Sequence, residues 1–110
     1  MRPQYIVDYF VDSKGGRHDF VICAVLKEHN RPGVYCLNLG YSICNPNDTF
    51  NVELGKTIAL GRANKAEESS LFAFNKGSLN IKVICALLES EAVYLKRNPG
   101  YKIAGYKWNI

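Results

Sequence analysis

The side chains best suited to chemistry in this sequence are cations and aromatic rings, and most of them lie in its second half. Lysine and arginine bind phosphate groups, and arginine does so through two parallel N–H donors. Nucleobases stack on aromatic rings, at roughly 1–3 kcal/mol per base. The candidate phosphate partners are Arg62, Lys65, Lys76, Arg97 and Lys102, and the candidate stacking rings are Phe72, Phe74, Tyr101, Tyr106 and Trp108. Together they predict a site for a phosphorylated ligand that carries a base.

Side-chain amides of the kind that pair with base edges and ribose hydroxyls accompany this set. They belong to Asn45, Asn47, Asn75 and Asn80. Taken one at a time, an aromatic ring is more often part of a core, and a cation is more often part of a solvated surface. The ligand interpretation therefore depends on their combination within one charged half of the chain.

Charge is divided unevenly along the sequence. Residues 1–55 hold five lysines and arginines against six acids, whereas residues 56–110 hold nine against four, so the halves carry net charges of −1 and +5. An anionic partner is therefore expected at the C-terminal half. The apolar share of 47% is typical of a folded domain, and 110 residues suit a single one, spanning 1–110.

Residues that would support catalysis are sparse. His18 opens a predicted strand and His29 lies in a predicted turn, and neither position indicates acid–base chemistry. No serine or cysteine has the context of an activated nucleophile, and no glycine-rich phosphate loop occurs. We therefore expect a protein that is not an enzyme and that needs no metal or cofactor.

Cysteine usage and hydropathy predict the compartment. Cys23, Cys36, Cys44 and Cys85 are too irregularly spaced for a zinc site and lie in apolar runs, which favours free buried thiols in a reducing environment. Neither a membrane span nor a signal peptide is recognisable. The expected location is the cytoplasm.

The first half of the chain predicts an antiparallel sheet. Residues 5–12 and 17–27 form two strands around a glycine turn, and the second is apolar on both alternations, as expected for a central strand covered on both faces. A third strand, residues 35–43, alternates between a large apolar face and a small, partly polar face. The small face suits solvent, a close subunit contact or a ligand.

Two helices are predicted after the sheet. The first follows an Asn-, Asp- and Pro-rich turn, begins at a cap supplied by Asp48 or Asn51, and ends at Arg62 and Lys65. Gly55 and Ala59 on one of its faces would let another backbone approach closely, either the sheet or a second subunit. Residues 66–78 form a loop with a short extended piece closing at Ser78, which is the predicted cap of the second helix.

The second helix, residues 79–97, is apolar over an unusually wide surface, which includes Ile84 and Leu88. Burial on two sides, one of them a helix contact in a homo-oligomer, would explain that width. The tail, residues 101–110, is aromatic and basic. The fold class is therefore α+β, with an N-terminal antiparallel sheet of about three to five strands and two helices that pack in a homo-oligomer.

One motif block carries a family resemblance. The turn Cys-Asn-Pro-x-Asp-x-Phe at residues 44–50 and the helix Gly-Lys-x-Ile-Ala-x-Gly-Arg-Ala at residues 55–63 resemble those of the anti-Thoeris sponge family, which are small bacteriophage anti-defence proteins. The order of elements along the chain also resembles that family. The resemblance implies that the protein binds and sequesters, without degrading it, the cyclic ADP-ribose isomer (glycocyclic ADP-ribose) made by the Toll/interleukin-receptor-domain enzyme of Thoeris defence.

The resemblance further implies a dimer or hexamer in the host bacterial cytoplasm and a separate site for cyclic di- or trinucleotides. Within the matched block the implied ligand residues are Asn45, Asp48 and Arg62; the remaining expectations come from residue chemistry. The expected phosphate ligands are Arg62, Lys65 and Arg97, the expected base and ribose partners are Asn45, Asp48, Phe72, Phe74, Asn80 and Tyr101, and the expected oligomer contacts are Gly55, Ala59, Ile84 and Leu88.

Two other functions fit the sequence. A small basic nucleic-acid-binding protein would use the same cations and rings, and its affinity would fall steeply with salt. A purely structural or partner-binding phage protein would retain no nucleotide.

Overall fold

A tight turn at residues 12–16 starts the sheet by reversing the chain between its first two strands. Gly15 has a φ of 82°, a backbone conformation that residues with a Cβ adopt rarely. The Asp12 side chain accepts hydrogen bonds from the backbone N–H groups of Lys14 (2.9 Å) and Gly16 (2.8 Å). The turn is thus built by one aspartate and one glycine.

The computed structural model describes residues 2–28, 34–65, 70–75 and 80–97. In chain order the elements are β1 (Gln4–Val11), β2 (Arg17–Glu28), β3 (Val34–Ile43), α1 (Val52–Lys65), β4 (Ser70–Asn75) and α2 (Ile81–Arg97). The strands form one antiparallel sheet in the order β1-β2-β3-β4. The predicted α+β class is confirmed, with the difference that β4 lies between the helices in sequence.

The two faces of the sheet carry one helix each. Side chains of alternate residues point to opposite faces, so the strongly apolar β2 contributes to both. Phe20 and Ile22 belong to the cluster that includes Ile84 and Leu88 of α2, whereas Val21 belongs to the cluster under α1. The prediction that this strand is central and covered on both sides is confirmed.

The small face of β3 receives α1. Gly40 lies so close beneath the helix that a Cβ there would come within 2.0 Å of the Ala59 carbonyl oxygen and 2.4 Å of the Ala63 nitrogen. A Cβ on Gly55 would come within 2.9 Å of the Val21 side chain. This face was predicted to meet solvent, a subunit or a ligand, and the structure instead places the chain's own helix there.

Asparagines begin both helices. Asn51 Oδ1 accepts the Leu54 N–H (3.1 Å) and Asn80 Oδ1 accepts the Val83 N–H (3.0 Å), which satisfies donors that have no partner within the first turn. The choice left open for α1 therefore falls on Asn51. For α2 the cap is Asn80, and the predicted cap, Ser78, lies outside the described residues.

The wide apolar surface predicted for α2 is buried along its centre and exposed at its margins. Ile84, Leu88, Ala92 and Leu95 are at most 2% exposed, whereas Ile81 is 54% exposed and Cys85 is exposed. The expectation of buried thiols therefore holds for Cys23 and is wrong for Cys85. Neither α1 nor α2 is long and apolar enough to span a membrane.

Candidate ligand-binding site

The motif turn, residues 44–51, leads from β3 into α1. The Asn45 carbonyl accepts the Asp48 N–H (3.0 Å), and the Asn45 side chain accepts the Asn47 N–H (3.2 Å). A proline at position 46 disfavours helical backbone at Asn45. Asn47 and Asp48 are exposed at the tip of the turn, while Asn45 is half-buried. Of the predicted base and ribose partners in the motif, Asn45 shapes the turn and Asp48 presents its carboxylate to solvent.

The hairpin turn between β1 and β2 lies against the motif turn. A Cβ on Gly16 would come within 3.1 Å of the Pro46 ring. The Cys44 N–H donates to the Asp19 carbonyl (2.8 Å), and His18 Nδ1 lies 3.1 Å from the Cys44 carbonyl oxygen. The hairpin turn and the first residues of β2 thus hold the start of the motif turn in place.

Cys44 is a structural residue in this arrangement. Its thiol lies 3.4 Å from the Asn45 carbonyl oxygen and 3.7 Å from that of Asp48. Burial raises the pKa of this thiol, and the nearby carboxylates of Asp48 and Asp19 raise it further. Burial likewise raises the pKa of Cys23 to about 11. Both thiols remain protonated at neutral pH, which is unsuitable for a nucleophile.

Asp12 and His18 connect the hairpin turn to this region. The two side chains lie 2.8 Å apart, between Asp12 Oδ2 and His18 Nε2. The hydrogen bond from His18 lowers the pKa of the Asp12 carboxyl, with the Gly16 backbone as the next contributor. Sequence reasoning placed His18 at a strand end without a role. The residue that His18 contacts, Cys44, is 26 positions away, so no local sequence pattern indicates the contact.

Arg62 is used inside the chain. In an antiparallel pair, the backbone N–H and C=O groups of successive residues point alternately toward and away from the neighbouring strand. The Cys44 N–H bonds to β2, so the carbonyl of Tyr41, three residues earlier, points away from β2. Arg62, half-buried on α1, donates to that carbonyl oxygen at 2.7 Å. The Tyr41 hydroxyl in turn donates to Glu91 of α2 (3.0 Å). The predicted phosphate ligand Arg62 therefore joins α1 to the sheet.

The other predicted phosphate ligands, Lys65 and Arg97, are exposed and are the last residues of α1 and α2. The helix dipole favours cations at these ends. Two cations near these ends have partners within the chain. Lys27 donates to the Asn64 carbonyl at the end of α1, and Lys96 forms an ion pair with Asp8 (3.0 Å).

Phe72 and Phe74 lie far from the motif turn. Phe72 pairs in register with Leu37, and Phe74 pairs with Tyr35, near the start of β3. The motif turn follows the other end of β3, so about 30 Å of extended chain separates the two places. Asn80 caps α2, and Tyr101 lies outside the described residues. Among the described residues, the predicted ligand residues are therefore not brought together within one chain.

The four residues predicted to form oligomer contacts are buried within the chain. Gly55 and Ala59 are on the side of α1 that packs on the sheet. Ile84 and Leu88 are on the buried side of α2 and are 1% and 2% exposed. The alternative of close packing on the chain's own sheet is the one that the structure shows for Gly55 and Ala59. An oligomer contact would have to use other side chains. The exposed apolar residues of α2 are Ile81, Val93 and Tyr94.

Within the described ranges, no group of three or more His, Cys, Asp or Glu residues is placed to hold a metal ion. No family model matches the chain, and no curated protein and no solved structure is significantly similar to it. The resemblance to the anti-Thoeris sponge family thus depends on the motif block and on the order of elements alone.

Proposed function

We propose that this protein is a bacteriophage anti-defence sponge that acts in the host bacterial cytoplasm. It binds the cyclic ADP-ribose isomer of Thoeris signalling and holds it intact, so that the downstream effector receives no signal. The class of ligand comes from the motif resemblance and from the cations and amides that accompany the motif.

The observation that carries the proposal is the construction of the motif turn. Its two ends are anchored, by the Cys44 backbone on Asp19 and by the Asn51 cap on α1. Its tip presents the amide of Asn47 and the carboxylate of Asp48 to solvent. A carboxylate and an amide held on a rigid turn suit ribose hydroxyls and an exocyclic amine, and a prearranged site lowers the ordering cost of binding.

Capture without cleavage needs binding energy but no group that stabilises a transition state. The arrangement around the turn suits that task because the Cys44 thiol is protonated and bonded to backbone carbonyls. Arg62 contributes indirectly, through the Tyr41 carbonyl that it holds behind the turn. Arg97 remains a proposed phosphate partner. Lys65 ends α1 about 20 Å from the motif turn, so it would bind the phosphate of the same ligand from another copy of the chain.

The distance between the motif turn and β4 limits which residues of one chain can contact the same ligand. One small nucleotide cannot contact both Asp48 and the strand that carries Phe72 and Phe74 in a single chain. If both regions bind the ligand, they come from different copies. We therefore propose a homo-oligomer in which exposed apolar residues of α2, such as Val93 and Tyr94, supply subunit contacts.

Native mass spectrometry tests capture. The protein, expressed in cells that make the cyclic signal, should carry a small molecule with the mass of the cyclic ADP-ribose isomer. Heat should release that molecule with its mass unchanged. Release of a cleaved product would indicate an enzyme and not a sponge. Protein that carries no nucleotide would contradict the proposal.

A matched pair of variants tests the turn. Asp48→Asn removes the exposed carboxylate at the tip and should lower ligand affinity at least about tenfold, the cost of one charged hydrogen bond. Glu53→Gln removes the same charge from an exposed position in the first turn of α1 and should leave affinity unchanged. Equal affinities for the two variants would exclude a direct role of Asp48.

The nucleic-acid alternative has a separate signature. Binding of generic DNA or RNA should weaken steeply with salt, because it releases counterions from many phosphates. Several described cations already have partners in the chain, which are Arg17 with Asp19, Lys27 with Asn64, Arg62 with Tyr41 and Lys96 with Asp8. No described observation favours this alternative over the sponge.

A further inference from the structure

His18 is a buried histidine whose two ring nitrogens both face oxygen atoms. The residue is 6% exposed, and its ring stacks on Phe10 with a centroid distance of 4.8 Å and an interplanar angle of 17°. Nδ1 lies 3.1 Å from the Cys44 carbonyl oxygen, and Nε2 lies 2.8 Å from Asp12 Oδ2. The ring is thereby held between the hairpin turn and the first residue of the motif turn.

The chemistry of these partners determines the proton count. A backbone carbonyl only accepts hydrogen bonds, and so does an ionised carboxylate. A neutral imidazole has one N–H, so either tautomer would leave a nitrogen lone pair facing an oxygen lone pair. An imidazolium has two N–H groups and satisfies both contacts.

The charged and titratable groups around the ring agree with a cation. Asp12 comes from the hairpin turn, and its other oxygen already accepts two backbone N–H groups, so it remains an acceptor. Asp19 and Asp48 lie on the side of Cys44, whose thiol is the remaining titratable group there. On the strand itself, Arg17 is paired with Asp19, and at the nearby end of α2, Lys96 is paired with Asp8.

We propose that His18 is a positioning residue for the motif turn, held as an imidazolium that donates one hydrogen bond to Asp12 and one to the Cys44 carbonyl. The cation ties the motif turn to the β1–β2 hairpin, 26 positions apart in the chain. When the ring loses a proton, one of the two contacts is lost and the turn loosens. The inference concerns the chain alone and does not rest on the proposed function.

Asp12→Asn is the most informative variant. The substituted asparagine keeps the oxygen that accepts the Lys14 and Gly16 N–H groups, and its NH₂ replaces Oδ2. That NH₂ can donate to Nε2 of a neutral ring, while Nδ1–H still donates to Cys44. The substitution therefore removes the need for the second proton and leaves the geometry in place.

The test is the protonation state of His18, measured by nitrogen NMR of the imidazole rings, with His29 as the second histidine signal. In the wild type at neutral pH both nitrogens of His18 should carry protons. In Asp12→Asn one nitrogen should be unprotonated under the same conditions. A neutral His18 ring in the wild type, or the same protonation state in both proteins, would overturn the proposal.

The positioning role has its own readout, which folding alone would not produce. The signals of the Cys44 carbonyl carbon and the Asn45 amide should change together with the protonation state of the His18 ring when the pH is varied. Signals of Cys44 and Asn45 that do not follow His18 would contradict the role. Should Asp12→Asn fail to fold, the protonation state of His18 in the wild type still decides.

Discussion

The two faces of the sheet are covered in opposite ways. The α2 face is filled by large side chains, and its fully buried members include Phe20, Ile22, Leu37, Ile84 and Leu95. The α1 face has almost no large side chains at its centre, so the helix backbone lies close to the strand. The small residues at this contact are Gly40, Gly55, Ala59 and Ala63. One face is stabilised by apolar volume and the other by close contact between backbones.

The difference relates directly to the site. α1 continues the motif turn, so the position of that turn depends on a helix that sits at one height above β3. Small residues fix this height because they have no long side chains that could rearrange to accommodate a larger neighbour. α2 contacts the sheet through side chains that can repack around a smaller neighbour, at the cost of a cavity.

The largest expected effect tests the close contact. Gly40→Ala would place a Cβ against backbone atoms of Ala59 and Ala63, which cannot rotate away, and should lower the free energy of unfolding by about 3 kcal/mol or more. Gly61→Ala is the matched control, since a Cβ there meets nothing within 4 Å. The control should gain about 1 kcal/mol from helix propensity. Urea unfolding measures both, and equal stabilities would contradict the close approach.

The next effect tests the face built from large side chains. Leu88→Ala, at a position 2% exposed, should lower the free energy of unfolding by about 3 kcal/mol through lost burial and a cavity. Glu89→Ala, at an exposed position of the same helix, should change it by less than about 0.5 kcal/mol. A comparable loss in both variants would contradict the packing of Leu88 on the sheet.

Smaller effects are expected at the helix caps. Asn51→Ala and Asn80→Ala each remove one hydrogen bond to a first-turn N–H and should each cost about 1 kcal/mol in thermal or urea unfolding. The comparison is sharpened by ligand binding, because Asn51→Ala also frees one end of the motif turn. Only that variant should lower ligand affinity. A loss of affinity in Asn80→Ala instead would assign the site to the start of α2.

The smallest effect is the acid response of the hairpin turn. The pKa of Asp12 is lower in the folded chain than its ordinary value of 3.8, so its contribution is present above that value and is lost as the pH falls below it. Between about pH 5 and pH 3, below the range in which histidine ordinarily titrates, wild type should therefore lose more stability than Asp12→Asn. Unfolding midpoints of both proteins at the two pH values measure this, and parallel losses would contradict it.

Local pattern was sufficient to predict the parts of the fold that are periodic. The doubly apolar β2 and the stripe of α2 around Ile84 and Leu88 follow from alternation and helical spacing. β4 was predicted as a short extended piece of a loop, since six residues with two phenylalanines do not distinguish a strand from a loop. Its pairing with β3 depends on the tertiary structure.

The site was harder to predict because its contacts join distant segments. The sequence indicated that Gly55 and Ala59 allow a close approach, but not that Gly40 is the residue that approaches. Arg62 has the composition of a phosphate ligand, yet it bonds to the Tyr41 carbonyl, which an edge of the sheet leaves available. The importance of His18 depends on Cys44, and no spacing rule connects them.

Isothermal titration calorimetry with the cyclic ADP-ribose isomer tests the central claim most directly. Wild type should release or absorb measurable heat and saturate at a fixed ratio of ligand to subunit. Asp48→Asn should bind the isomer at least about tenfold more weakly, and Glu53→Gln should bind it as the wild type does. No heat of association in the wild type, with this isomer or with cyclic oligonucleotides, would contradict the account.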